Sequence, residues 1–242
     1  MQTDDEDFAG ADEIGHVHAD VSGGWLRAAV FGAMDGLVTN ISLVVGIGAA
    51  GASDRVVLLT GTAGLVAGAF SMAMGEYTSV STQNEQVERE VAVERREIAE
   101  NAEAEVAELS EMFVDMGMRY EVALLAAQDV HRDPEHATMV HVAQELGVDP
   151  DEQPSPLVAA GSSFAMFSVG ALIPLLPYLL GFGSVLTGLI AGALGLLAAG
   201  GVAARFTAVP WWRGATRQLV FGALAAAATY AVGSLFGAGG LT

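Results

Sequence analysis

The sequence predicts an all-α membrane protein, with five transmembrane helices and a cytoplasmic helical-bundle insert between the second and third spans. Three observations carry that prediction. The chain of 242 residues is 52% hydrophobic and only 16% charged, with 30 glycines and a mean hydropathy of +0.45, a combination that soluble domains seldom show. Five apolar stretches come close to or exceed the ~20 residues that a helix needs to cross the hydrocarbon core. The acids behind the formal charge of −19 crowd into the N-terminal tail and the connection 76–152, so an oily part and an acidic part share one chain.

The elements follow in order. Residues 1–24 form an acidic tail, opening "MQTDDEDFAGADEIGHVHAD". It lacks the basic region and apolar core of a secretory signal and reads as solvated chain. His16 and His18 in such a tail make a poor metal site. Residues 25–80 hold a first hairpin, with spans 25–51 and 56–75 joined by a short turn. Gly64 and Gly68 form a small-xxx-small pair suited to close helix approach.

Residues 81–156 are hydrophilic and helical. "TQNEQVEREVAVERREIAENAEAEVAELSEMFVDMG" has no proline and no glycine before Gly117, and Val87, Val91, Ile98, Val106, Leu109 and Phe113 recur at helical spacing. The first of these helices can continue straight out of the second span, so that residues 57–100 make a rod of about 65 Å. "MRYEVALLAAQDVHRD" supplies a further helix. "DPEHATMVHVAQELG" supplies the last, with Asp133 as N-cap, Pro134 in the first turn and Gly147 as the stop. Residues 157–242 carry spans 157–180, 183–204 and 218–237. Pro174 and Pro177 kink or end the first of the three.

Arginine sets the sides; all ten basic residues are Arg. Five crossings put Arg27, the insert's arginines and Arg205, Arg213 and Arg217 on one face, with Arg55 alone on the other. The positive-inside rule then places the N-terminus and the insert in the cytoplasm. The acidic balance argues against nucleic acid, which needs a basic surface, and fits a cationic partner. The absence of cysteine excludes disulfides and thiolate metal sites.

Two sets of residues carry chemistry. In the insert, Glu90, Glu94 and Glu97 share one helix face, Glu105 and Glu108 stand at i, i+3 on the next helix, and His141 and Glu145 at i, i+4 on the last. Carboxylates packed together repel unless a cation lies between them. Oxygen and imidazole donors suit Fe(2+), Mn(2+), Co(2+) or Zn(2+), whereas an all-oxygen cage suits Ca or Mg. The competing reading is the solvated acidic face of a surface helix. In the membrane, Asp35 interrupts "AVFGAMDGLVTNISLVVGIGAA". An acid at that depth costs about 3 kcal/mol and marks an ion or proton path. Asn40 follows on the same helix, and the returning helix offers Met72, Met74 and Glu76. A thioether is a soft donor that tolerates ferrous iron but does not suit Mg or Ca.

"AAVFGAMDGLVTNISLVVGIGAAG" and "GLVAGAFSMAMGEYTSVSTQNE" resemble the two signature spans of the vacuolar iron transporter family, and "GEYTSVSTQ" is closer to its nodulin-like and prokaryotic branch. The likeness runs from about Trp25 to the end, "GALIPLLPYLL" included. It implies a homodimer in a prokaryotic plasma membrane that exports ferrous iron, often also manganese, from the cytoplasm by proton exchange. It implies no prosthetic group. Asp35 and Met72 correspond to the family's path residues. Glu94, Glu97, Glu105, Glu108 and Glu145 correspond to its insert ligands.

Two departures stand out. Gly64 occupies a place where some members have an intramembrane glutamate, and Glu76 is the available substitute. His141 and Val142 occupy the place of a methionine pair, which makes the insert site harder and pH-sensitive. No GxxxxGK[ST] loop occurs, so ATP drive within the chain is not expected. The alternatives are a membrane-anchored metal store or di-iron oxidase, which needs Glu-x-x-His pairs that the insert lacks, and a sensor that does not transport.

Overall fold

The computed structural model describes residues 24–150, 152–206 and 209–238. The tail with His16 and His18 lies outside them. The described residues form helices and the turns between them, with no strand. The helices are α1 (Gly24–Ala49), α2 (Asp54–Glu100), α3 (Ala102–Asp115), α4 (Tyr120–Val130), α5 (Pro134–Leu146), α6 (Pro156–Leu172), α7 (Leu176–Leu179), α8 (Val185–Ala203) and α9 (Trp211–Ala238). Among the described residues, five stretches are long and apolar enough to cross a bilayer: Gly24–Ala49, Asp54–Glu100, Pro156–Leu179, Val185–Phe206 and Trp211–Gly237.

Helix α1 is the hub of the apolar half and packs against α2, α6, α8 and α9. Its small residues make this possible. Gly32 and Gly36, one turn apart, lay the α1 backbone on the α6 backbone, and a Cβ at Gly36 would overlap the Phe167 carbonyl oxygen. Gly170 returns the contact against the Ala33 carbonyl. The sequence singles out Gly64 and Gly68 on α2 for close approach, but these two receive side chains instead, Leu43 and Phe167 respectively. Asn40, fully buried, ties three helices together: its Nδ2 donates to the Gly61 carbonyl of α2 at 3.2 Å and the Ala171 carbonyl of α6 at 2.7 Å.

Pro174 and Pro177 act as expected. Helix α6 stops at Leu172, the chain tightens into a 3₁₀ turn over Ile173–Leu175, and α7 adds a single turn before Gly181 reverses the chain with φ +84°. Helix α2 packs one side of its apolar half against α1, α6 and the Leu175–Tyr178 stretch, and leaves Leu59, Val66, Phe70, Met74 and Tyr77 exposed.

The same α2 runs without a break to Glu100, and 47 residues of helix make a rod of about 70 Å. Its distal half carries α3, α4 and α5. Asn101, with φ −131° and ψ 35°, ends the rod and turns the chain into α3. Leu109, Phe113, Ala123 and Ala127 form the dry seam between α3 and α4. Helix α5 lies on α2, and the Arg95 guanidinium on α2 donates two hydrogen bonds to Glu135 on α5, at 3.0 and 2.9 Å. The α5 caps match the sequence: the Asp133 side chain accepts from the Glu135 N–H, and Gly147 closes the helix at φ +65°.

Candidate metal centre and membrane path

Three helices converge on one point in the acidic half. Helix α2 brings Glu94, α3 brings Glu105 through the turn at Asn101, and α5 brings His141 from its buried face. One donor atom from each lies within 4.8 Å of the other two. All three residues are buried: 8% of Glu94 and 7% of Glu105 are exposed, and none of His141. Nδ1 of His141 lies 3.0 Å from a Glu94 oxygen, 3.6 Å from Glu105 and 3.7 Å from Glu145.

These short approaches are not ion pairs. Burial, with His131 alongside, holds the His141 imidazole down to about 4, so the ring is neutral at physiological pH. Burial pushes Glu94 up to about 7, and the Glu145 and Glu105 charges add to the push. Burial raises Glu105 as well, followed by the Glu108 charge, and Glu94 shares a side-chain hydrogen bond with it. Glu145 is raised by burial and then by Glu108, Glu105 and Glu90. The fold therefore keeps a proton on Glu94 near neutrality. Even so, Glu94 Oε1 and His141 Nδ1 face each other with no hydrogen bond to either atom. Two buried donor atoms 3.0 Å apart and left unbonded suit a cation of mixed oxygen and nitrogen preference.

The other insert residues singled out in the sequence fall into a gradient around this point. Glu145, one turn after His141, has its side chain 35% exposed at the rim. Glu108 is exposed and acts on Glu94, Glu105 and Glu145 through its charge. Glu97 accepts a hydrogen bond from Asn101 Nδ2 at 2.7 Å and adds its charge to Glu105. Glu90 is exposed and adds its charge to Glu145. One residue escaped the sequence analysis: His131, at the end of α4, places its Nε2 3.3 Å from His141 Nε2. The visible signal was a second histidine ten positions before His141, but only the α4–α5 turn brings the two together.

In the apolar half, Asp35 is partly buried on α1 beside Thr39, one turn further on. It forms no salt bridge with any described residue. Gly36, next in α1, and Gly68, one turn before Met72, both lie against Phe167 of α6, and Met72 packs on that same cluster. Asn40 keeps Oδ1 unbonded, and a Cβ at Gly64 would stand 3.3 Å from it. Glu76 differs from Asp35. It is 7% exposed and accepts a hydrogen bond from Arg27 Nη2 at 2.9 Å.

The chain matches the model of the VIT family over residues 26–234. It is 38% identical to the vacuolar iron transporter of Acanthamoeba castellanii over 219 residues, covering 88% of this chain and 78% of that protein. It is 34% identical to vacuolar iron transporter homolog 1 of Oryza sativa subsp. japonica, over 90% of this chain and 76% of the relative. Vacuolar iron transporter homolog 3 of Arabidopsis thaliana is also 34% identical, over 88% and 84%. These relatives are named for transport rather than for catalysis, and the family match over 26–234 reaches into all five apolar helices and takes in the acidic segment between the second and third. With nearly its whole length matched in this way, the chain is a multi-pass membrane protein and belongs to the VIT family.

Proposed function

We propose that this protein exports divalent iron or manganese from the cytoplasm in exchange for protons, as a homodimer in a prokaryotic plasma membrane. The observation that carries this reading is the buried Glu94–Glu105–His141 cluster, where two facing donor atoms go unbonded. Residues 81–156 act as the cytoplasmic metal-binding domain, with Glu145, Glu108, Glu97 and Glu90 drawing cations toward the buried three. Asp35, Met72 and Asn40 Oδ1 line the membrane path, and Glu76 guards its inner mouth under the hold of Arg27. A carboxylate in oil is neutralised by metal or by a proton in turn, which couples the two fluxes. The exposed apolar face of α2 gives a second copy its docking surface. The imidazole admits Zn(2+) and Co(2+) beside Fe(2+) and Mn(2+).

The test is transport in liposomes with a trapped dye and an imposed proton gradient. Asp35→Ala is expected to lower Fe(2+) and Mn(2+) flux by about 100-fold or more, the scale of losing an ion's only compensating charge in the membrane. Metal affinity of the detergent-solubilised variant is expected to stay at the wild-type level. Flux that survives the substitution overturns the path. A wild-type protein that binds metal but moves none identifies a store.

A further inference from the structure

We propose that His131 is a positioning residue: it holds His141 as the Nε2–H tautomer and so leaves Nδ1 bare toward the carboxylates, ready to bind a cation. The inference rests on the reading of Glu94, Glu105 and His141 as a metal centre, and it names the part of the fold that prepares the centre's one nitrogen donor.

His131 lies at the end of α4, and its Nδ1 stands 2.8 Å from the Ala127 carbonyl oxygen one turn back. A carbonyl brings no proton, so that contact is a hydrogen bond only when His131 Nδ1 carries one. In the neutral ring Nε2 is then an acceptor. The His141 Nε2 faces it at 3.3 Å, with the two rings nearly perpendicular at 88°, and must therefore donate. The single proton of a neutral His141 is thereby fixed on Nε2, and Nδ1 keeps its lone pair.

The other side of His141 agrees. Were the proton on Nδ1, the ring would donate to Glu94 Oε1 at 3.0 Å, yet neither atom makes a hydrogen bond in this geometry. An Nδ1–H would then be a donor buried completely and left unsatisfied, which is costly. A bare Nδ1 among carboxyl oxygens at 3.0 to 3.7 Å is an unfavourable neighbour for them until a cation or a shared proton arrives. The arrangement has the form common to metal-bound imidazoles, in which the nitrogen away from the metal donates to a fixed acceptor that sets ring orientation and tautomer. Here the acceptor is another histidine, itself set by a helix carbonyl.

The test uses the full-length chain in detergent micelles with ¹⁵N-labelled histidine, Zn(2+) as the probe, and calorimetry beside NMR. In the metal-free wild type, His141 is expected to show a pyrrole-like Nε2 and a pyridine-like Nδ1, with Zn(2+) shifting Nδ1. His131→Phe keeps an aromatic ring and removes the acceptor. It is expected to mix the His141 tautomers and weaken Zn(2+) binding by roughly 10- to 100-fold, the usual effect of losing such a partner. His131→Gln restores an acceptor oxygen and is expected to bring affinity back to within about threefold, as acceptor replacement should. That rescue separates positioning from mere packing. A wild-type His141 protonated on Nδ1, or a His131→Phe protein with tautomer and affinity unchanged, overturns the role of His131. Wild-type protein that shows the expected tautomer but takes up no Zn(2+) overturns the metal centre itself.

Discussion

Glu76 and Glu94 lie on one helix, about five turns apart and therefore on the same side of it. Both are buried, at 7% and 8% exposure. Their surroundings differ completely. Glu76 has Arg27 at 2.9 Å, a resident cation supplied by α1. No arginine forms an ion pair with Glu94 among the described residues; around it are Glu105, Glu145 and a neutral imidazole. A buried acid with its own counter-charge is part of the scaffold at rest. A buried acid among other acids must keep a proton or take a cation, because an isolated carboxylate is too costly away from water. The fold can thus supply a counter-ion where it needs one, and at Glu94 it supplies acids instead.

Substituting each acid breaks or sharpens that contrast. The largest effect is expected at the centre. Glu94→Ala should weaken Mn(2+) or Fe(2+) binding by about 100-fold or more, the loss of one of three buried ligands exceeding that of an outer partner. Glu76→Ala should leave binding within about threefold of wild type and instead strand the Arg27 charge, lowering the melting temperature modestly because Arg27 is mostly exposed. Calorimetry on detergent-solubilised protein measures the first and thermal melts the second. Equal effects on binding from the two substitutions would erase the distinction.

Acidity comes next in size. With Glu94 raised to about 7, metal must displace a proton there, so affinity should fall as the pH drops below about 7, by up to about tenfold per pH unit for one proton. Calorimetry in buffers of different ionisation heat should register close to one proton released per metal at pH 6 to 7. Glu94→Gln should abolish that release.

The smallest effect concerns the metal-free protein. The unfolded chain gives up carboxyl protons above the ordinary 4.5, whereas the folded chain holds those on Glu94, Glu105 and Glu145 to higher pH. For Glu94 that contribution is present in full below 4.5 and is lost as the pH rises through about 7; for Glu105 and Glu145 it is likewise present below 4.5 and lost at higher pH. His141 works the other way: below 6.5 the unfolded ring takes up a proton that the folded ring refuses until about 4. Glu94 and His141 largely offset each other over this range, and the raised Glu105 and Glu145 tip the balance, so melting temperature in the absence of metal should be slightly higher near pH 5.5 than near pH 7.5. Added Mn(2+) should reverse the order.

Most of the architecture was legible because its signals are local. Long apolar runs, the two prolines in "ALIPLLPYLL", and the Asp133–Pro134 start and Gly147 stop of α5 each act on their own few residues. The acid spacing likewise singled out Glu94, Glu105 and His141, which the fold brings together, along with Glu90, which it leaves exposed. Pairings between distant segments were hidden. Periodicity cannot say that Arg27 reaches Glu76, that Asn40 brackets α2 and α6, or that His131 reaches His141 around a turn. The glycines show the same limit. Gly64 and Gly68 have the spacing of a backbone contact, but the contact forms at Gly32 and Gly36, because which face meets which neighbour is settled by the whole bundle.

The unbroken course of α2 has a mechanical consequence. From Glu76 to Glu100 it contains neither glycine nor proline, so nothing along that stretch serves as a hinge. Glu94 and Met72 are about 33 Å apart on one stiff shaft. Any tilt of the shaft at the acids swings the thioether end as well, and a few degrees of lean become ångströms of travel at the far tip.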